Sequence, residues 1–126
     1  MSTQDALQLL RDGNQRYVDG NRAQPHLDPE WRRKTATEGQ NPFACVLTCS
    51  DSRVPVEHVF DAGVGDLFEI QVAGNVCGVI ETASVEFAVW ELKVPLVVVL
   101  GHTKCGGVTT AVKDLPVTGP LKELVD

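Results

Sequence analysis

The stretch Cys49-Ser50-Asp51-Ser52-Arg53 follows an apolar run, Phe43–Thr48, that predicts a buried β-strand. A second polar stretch, Gly101-His102-Thr103-Lys104-Cys105-Gly106-Gly107, follows another apolar run, Pro95–Leu100. Strands that alternate with helices predict a parallel sheet, and the residues that follow parallel strands emerge at the same edge of that sheet. The two polar stretches are therefore expected to meet at this edge, although they are far apart in the sequence.

Apolar periodicity over the whole chain predicts an α/β fold, with a central, mainly parallel β-sheet flanked by helices and an extended N-terminal helix. The helix over 78–93 is apolar around much of its circumference, so we expect it to be buried. In order, the predicted elements are a helix over 6–18 capped by Ser2 or Thr3 and interrupted by Gly13 and Asn14, a short helix from Asp28 or Pro29 to Glu38, strands over 43–48, 66–72 and 95–100, and helices over 56–60, 78–93 and 106–113.

Length and composition indicate one soluble domain over 1–126, with an N-terminal helical arm and loop over 1–42 and an α/β core over 43–126. The sequence is 43% hydrophobic and 22% charged, as is typical of globular proteins. Its net charge of −6 argues against nucleic acid or an anionic membrane as the main partner. No apolar run is long enough to span a bilayer, and the N-terminus has no signal-peptide pattern, so we expect a cytoplasmic protein.

The four cysteines favour metal ligation over disulfides. Cys45 and Cys49 are four positions apart on one predicted strand, about 13 Å between Cα atoms, which is beyond the reach of a disulfide. Without a secretion signal, ligation is the better interpretation for Cys49 and Cys105, whereas Cys45 and Cys77 are predicted to be packing residues. Together with His102, the two ligating thiolates would hold one catalytic zinc ion and leave a fourth position for water.

The alternative interpretation is that these are ordinary buried cysteines, since free Cys is among the most buried residue types. The acidic and basic residues at alternate positions beside Cys49, namely Asp51 and Arg53, favour a functional site instead.

Cys-x-Asp-x-Arg followed by His-x-x-Cys resembles the β-class carbonic anhydrases. The resemblance covers nearly the whole chain, including the N-terminal helix and three intervening signatures: Gly39-Gln40-Asn41-Pro42, Gly65-Asp66-Leu67-Phe68 and Ala73-Gly74-Asn75. It implies a dimer or larger homo-oligomer with exchanged N-terminal helices, and one Zn²⁺ per chain held by Cys49, His102 and Cys105. The implied activity is the reversible hydration of carbon dioxide to bicarbonate and a proton by a zinc-bound hydroxide.

The resemblance also implies roles for further residues. Asp51 would accept a hydrogen bond from the zinc hydroxide while Arg53 holds its carboxylate. The position of Asp51, two residues from Cys49, adds a hypothesis of its own: because oxygen is an acceptable zinc ligand, Asp51 would be a fourth metal ligand in a closed state. Gln40 would donate to the substrate from the partner subunit, although an ordinary loop glutamine stays open as an alternative. The wall of the CO₂ pocket would be formed by Phe68, Ala73, Phe87 and Gly106.

The sequence also departs from the family pattern. Phe87 stands where many members have a tyrosine, and the chain ends at Asp126, earlier than usual for the family, so it is either a minimal member or a fragment. Two other functions stay open. One is the hydrolysis of carbonyl sulfide or carbon disulfide on the same scaffold, and the other is a non-catalytic interaction module stabilised by zinc.

Overall fold

A computed structural model describes all 126 residues and contains one sheet of three parallel strands. The central strand β1 (Ala44–Thr48) lies between β2 (Leu67–Gln71) and β3 (Val97–Leu100). This is the predicted α/β fold with a parallel sheet flanked by helices. The helices are α1 (Thr3–Val18), α2 (Pro29–Glu38), α3 (Val56–Val59), α4 (Val79–Trp90), α5 (Gly106–Val112) and α6 (Pro120–Val125).

Strand β1 is buried along its whole length, as its continuous apolar sequence predicts. Its side chains alternate between the two faces of the sheet, and Cys45 and Leu47 lie on the face that α4 covers. These two residues form the centre of a core cluster whose other buried members are Ile70, Ala88 and Val94. The prediction that Cys45 is a packing residue is therefore confirmed.

Helix α1 is continuous, so the prediction that Gly13 and Asn14 interrupt it is wrong. Its N-terminus is fixed by a capping box in which the Ser2 hydroxyl accepts from the backbone N–H of Asp5. Only glycine fits at position 13, because a Cβ atom there would lie 1.8 Å from the carbonyl oxygen of Phe60. The missing side chain thus provides a close contact between α1 and the core.

Helix α1 packs on its own chain in this structure. The Thr3 hydroxyl donates to the carbonyl of Pro95 at 2.8 Å, and the Asn14 side chain donates to the carbonyl of Val59 at 2.9 Å. Both contacts join the helix to segments that precede or follow sheet strands. The exchange of this helix between subunits, which the family resemblance implies, is therefore not tested by the single chain.

The outer surface of the α/β core is less buried than its sequence predicts. Val79, Ile80 and Trp90 on α4 are 84%, 73% and 71% exposed, so the prediction that this helix is buried is wrong for the single chain. On β3, Val97 and Val99 are also exposed. The two valines are exposed because α4 packs over β2 and β1 only. The part of that sheet face that belongs to the edge strand β3 is left uncovered.

The last element, α6, begins at Pro120, beyond the last helix that the sequence analysis predicts. None of the helices combines the length and the apolar character that crossing a membrane requires.

Candidate metal centre

The carboxyl edge of the sheet brings the two polar stretches together, as predicted. Cys49 directly follows β1, His102 follows β3, and Cys105 is the residue before the first turn of α5. The strand order β2-β1-β3 places the ends of β1 and β3 side by side. This is the topological switch point of the sheet, because β2 and β3 lie on opposite sides of β1. The ligand atoms of the three residues lie within 4.8 Å of one another.

The two sulfur atoms have the spacing of a zinc site. Cys49 Sγ and Cys105 Sγ are 3.8 Å apart, and both thiols are free and buried. A tetrahedral ion with zinc–sulfur bonds of about 2.3 Å would separate two sulfur ligands by about 3.8 Å.

Of the other two thiols, Cys77 is exposed, so the prediction that it is a packing residue is wrong. It lies on the connection between β2 and α4, outside the core.

The His102 ring is oriented as a ligand. Its Nδ1 is 2.9 Å from the carbonyl oxygen of Thr103, so Nδ1 carries the proton and donates it there. Its Nε2 is buried and has no hydrogen-bond partner. A buried imidazole nitrogen with a free lone pair, directed at two thiols, fits a metal ion, and the backbone acceptor on the other nitrogen is the usual support of a metal-binding histidine.

The Cys49 thiol is prepared for ionisation. Burial by itself raises the pKa of this group, but the neighbouring His102 side chain, the backbone amides of Asp51 and Gly74, and the Cys105 thiol together outweigh it. The result is a pKa lowered to about 7. Metal binding requires the thiolate, so this environment favours the ligating form near neutral pH.

Asp51 and Arg53 form a two-pronged ion pair beside the ligands. Arg53 Nε donates to Asp51 Oδ1 at 3.0 Å, and Arg53 Nη2 donates to Asp51 Oδ2 at 2.6 Å. These bonds hold the pKa of Asp51 well below its usual range, so the group is a carboxylate at neutral pH. Its Oδ2 lies 3.8 Å from His102 Nε2, within reach of a metal ion at the centre.

Comparisons with known proteins assign the chain to a family. A model of the carbonic anhydrase family matches residues 44–126. Carbonic anhydrase of Mycolicibacterium smegmatis is 46% identical over 110 residues, which is 87% of this chain and 53% of that protein. Carbonic anhydrase 2 of Mycobacterium tuberculosis is 43% identical over 106 residues, 84% of this chain and 51% of that protein.

The fold gives the same assignment. A tetrameric β-carbonic anhydrase from the ascomycete Sordaria macrospora matches with a TM-score of 0.72 and 29% identity, over 96% of this chain and 61% of that one. The chain belongs to the β-class carbonic anhydrase family. It spans about half the length of the curated relatives that it matches. β-Carbonic anhydrases use zinc, and Cys49, His102 and Cys105 are arranged as a site for that ion.

The family resemblance also assigned Phe68, Ala73, Phe87, Gly106 and Gln40 to the site. The first four lie in two places. Ala73 and Gly106 are near the ligands, because they adjoin Gly74 and Cys105. Phe68 and Phe87 lie together on the α4 side of the sheet, with ring centroids 5.9 Å apart. Phe68 packs against the core cluster and is paired with Cys45, towards the amino end of the sheet, whereas Phe87 is partly exposed.

Gln40 lies at the opposite edge of the sheet from the metal ligands. It precedes β1, whereas Cys49 follows it, and a strand of this length spans about 16 Å. The structure therefore does not bring Gln40 and the zinc ligands of the same chain together.

Two contacts at the site are not visible in the sequence. The backbone N–H of Gly74 donates to Cys49 Sγ at 3.3 Å, and the carbonyl of Lys104 accepts from Arg53 Nη2 at 3.1 Å. Both involve backbone atoms of residues distant in sequence from the group that they contact. The only sequence signal is the presence of Gly74 in a family signature.

Proposed function

We propose that this protein catalyses the reversible hydration of carbon dioxide to bicarbonate and a proton, with one zinc ion per chain. The observation that carries the proposal is the intact Asp51–Arg53 pair beside the three ligands. A site that served only to stabilise an interaction module would need the ligands alone. The ion pair therefore favours an enzyme over the non-catalytic alternative.

The zinc ion would supply, when bound, a water molecule made acidic enough to act as a nucleophile at moderate pH. Asp51, whose Oδ2 is 3.8 Å from His102 Nε2, would accept a hydrogen bond from that water molecule and so orient it towards the carbon atom of CO₂. Arg53 fixes the carboxylate with two parallel hydrogen bonds. By occupying both carboxylate oxygens, Arg53 also opposes the direct binding of Asp51 to the metal.

A complete site requires a second subunit in this proposal. Gln40, which we propose as a donor to the substrate, lies too far from the ligands of its own chain to contact them. The Sordaria macrospora relative is a tetramer. We therefore propose a homodimer or larger closed assembly in which Gln40 of one subunit completes the site of another. Exchange of α1 would accompany this assembly.

The substrate pocket is proposed to include Phe68, Ala73, Phe87 and Gly106. Ala73 and Gly106 flank the ligands in one chain, and the aromatic pair Phe68 and Phe87 would come from the partner, as Gln40 does. Phe87 is 47% exposed in the single chain, which leaves part of its ring free for such a contact. A phenylalanine here makes the pocket wall apolar, which suits an uncharged linear substrate.

We further propose a cytoplasmic location. It is supported by the four cysteines, all of which are free. Two free thiols at a metal centre need the reducing conditions of that compartment to stay unoxidised.

The test is a CO₂ hydration assay on the zinc-loaded protein, with a sulfide-release assay on carbonyl sulfide and carbon disulfide in parallel. We expect rapid hydration that Asp51→Asn removes while the metal content stays the same. Sulfide release without CO₂ hydration would move the assignment to the sulfide hydrolases. A zinc-loaded, folded protein without either activity would contradict catalysis altogether.

A further inference from the structure

We propose that Gly74 is a positioning residue for the zinc ligand Cys49, and that backbone contact between Gly74 and Gly107 makes this role possible. The inference rests on the zinc site described above. It concerns how the ligands are held, so it does not depend on which substrate the enzyme hydrates.

Gly74 has the backbone conformation that the contact with Cys49 requires. It lies in the turn Ala73–Asn75, which follows β2, with φ 71° and ψ 10°. This left-handed region is open to glycine and strained for other residues. Its N–H donates to Cys49 Sγ at 3.3 Å, and both residues are buried.

The sheet places the turn above Cys49. Val72, just before the turn, is hydrogen-bonded in both directions to the end of β1: its N–H donates to Thr48 at 3.0 Å, and its carbonyl accepts from Ser50 at 3.3 Å. These bonds flank Cys49 on both sides. The position of Gly74 relative to the sulfur is therefore set by the ladder between β1 and β2.

Gly107, in the first turn of α5, packs directly on Gly74. A Cβ atom at position 107 would lie 2.9 Å from Gly74 Cα and 3.0 Å from Gly74 N, and both are backbone atoms that cannot rotate away. A Cβ atom at the neighbouring Gly106 would meet nothing within 4 Å. The close approach is thus specific to position 107.

This contact links the two thiolates. Cys49 is held by the turn, and Cys105 is the residue from which α5 begins. Because Gly107 and Gly74 touch, the start of α5 is fixed against the turn that binds Cys49. The spacing of the two sulfurs therefore depends on two glycines that carry no side chain to the site.

The hydrogen bond also has an electronic effect. A donor to a thiolate withdraws charge from the sulfur, which then gives less charge to the metal. Two thiolates neutralise most of the charge of a zinc ion, so a donor to one of them keeps the ion more electrophilic. The effect on affinity comes from the geometry instead: without this contact Cys49 is no longer held in position, and the loss of such supporting contacts typically lowers metal affinity by about 10–100-fold.

The first test uses the unmodified protein loaded with cadmium-113. A hydrogen bond to a metal-bound thiolate transmits nuclear spin coupling from the amide proton to the metal. We expect a proton–cadmium correlation that assigns to the Gly74 amide. The proposal is overturned if the protein is folded and fully loaded with cadmium, the Gly74 amide is assigned, and that amide shows no coupling to cadmium.

The second test compares Gly107→Ala with Gly106→Ala, the same substitution on the adjacent residue of the same helix. In the cobalt-substituted proteins, loss of the hydrogen bond raises the energy of the sulfur electrons, so the sulfur-to-cobalt absorption band of Gly107→Ala should move to longer wavelength. Its zinc affinity, from chelator competition, should fall by about 10–100-fold. Gly106→Ala should keep the native band and affinity.

Equal bands and affinities in the two variants would contradict the role of Gly107. If Gly107→Ala does not fold, the cadmium measurement still decides whether Gly74 binds Cys49. A positive cadmium correlation without CO₂ hydration would leave the positioning role standing and refute the proposed function. CO₂ hydration without the cadmium correlation would support the proposed function and refute the positioning role of Gly74.

Discussion

Arg53 binds Asp51 through two parallel hydrogen bonds and ties that carboxylate to the second ligand loop. The same Nη2 atom that donates to Asp51 Oδ2 also donates to the carbonyl of Lys104 at 3.1 Å. Lys104 lies between His102 and Cys105 and has a left-handed backbone conformation, with φ 58°. Arg53 therefore connects the loop after β1 with the loop after β3.

Replacing Arg53 tests whether this pair keeps the metal open to water. In Arg53→Ala, Asp51 loses both side-chain donors, and a free carboxylate within reach of zinc competes for the fourth position. We expect native fold and zinc content, a loss of CO₂ hydration of about 100-fold or more, and a new oxygen ligand in the X-ray absorption spectrum of zinc. Native activity in this variant would show that the pair is structural.

Two further variants serve as controls for that result. Arg53→Lys keeps the charge but lacks the rigid fork that matches a carboxylate, so it should restore little activity. Asp51→Asn should also be inactive, yet its fourth position should stay with water or an anion. If residue 51 supplied an oxygen ligand to zinc in both Arg53→Ala and Asp51→Asn, the role of the carboxylate would be contradicted.

Zinc content should require each of the three ligands. Cys49→Ser, His102→Ala and Cys105→Ser each remove a ligand, and we expect elemental analysis to fall from about one zinc per chain to near zero. Cys77→Ser is the matched control, because Cys77 is an exposed thiol outside the site. Full zinc content in any of the first three variants, or loss in the control, would refute the ligand set.

Mixed dimers test whether Gln40 acts on the partner. Cys49→Ser removes the metal from its own chain, and Gln40→Ala removes the donor that a partner needs, so each variant alone should be nearly inactive. When the two are mixed and exchanged at equal concentration, half of the dimers are mixed and each contains one complete site. We expect recovery to about a quarter of the native activity.

The control for this experiment is a mixture of Cys49→Ser with His102→Ala, in which no dimer has an intact ligand set. That mixture should stay inactive. A protein that light scattering shows to be monomeric and fully active at nanomolar concentration would contradict both the assembly and the role of Gln40.

Asp61 should make the fold sensitive to acid. Its side chain is fully buried at the end of α3, where its carboxylate accepts from Arg16 at 2.7 Å and from the backbone of Ala23 and Gln24 at 2.8 and 3.0 Å. Burial raises the pKa of this group, but these donors outweigh it and lower the pKa from 3.8 to about 2. The folded state therefore binds a proton less readily than the unfolded state.

The sign follows from that difference. The stabilisation is complete above the unfolded pKa and is lost as pH falls through the folded pKa of about 2. We expect Asp61→Asn to reduce the free energy of unfolding by about 2–3 kcal/mol at pH 7, with the difference shrinking between about pH 4 and pH 2. Urea titrations over that range measure it, with the exposed Asp114→Asn as control. A pH-independent difference would refute the mechanism.

The amino-acid sequence by itself determines the sheet and the chemistry at its edge. The apolar run that becomes β1 is too continuous for an exposed strand, and Cys49 follows directly where such a strand must end. Because parallel strands share a carboxyl edge, the meeting of Cys49 with His102 and Cys105 follows from the order of elements. Local patterns also predict the bounds of most helices to within a few residues, as for α2 with its Asp28 cap.

Tertiary structure alone decided which backbones touch. Gly13 is a poor helix residue by propensity, yet α1 continues through it. Glycine is required there because the carbonyl of Phe60 occupies the space of a side chain. The amide of Gly74 reaches Cys49 Sγ because Gly107 also has no side chain, and no local pattern specifies such a pair. The apolar surface of α4 shows what must be buried, but the sequence pattern does not specify which surface covers it. Periodicity reports the polarity of a residue, whereas a contact depends on the position of two distant segments in space.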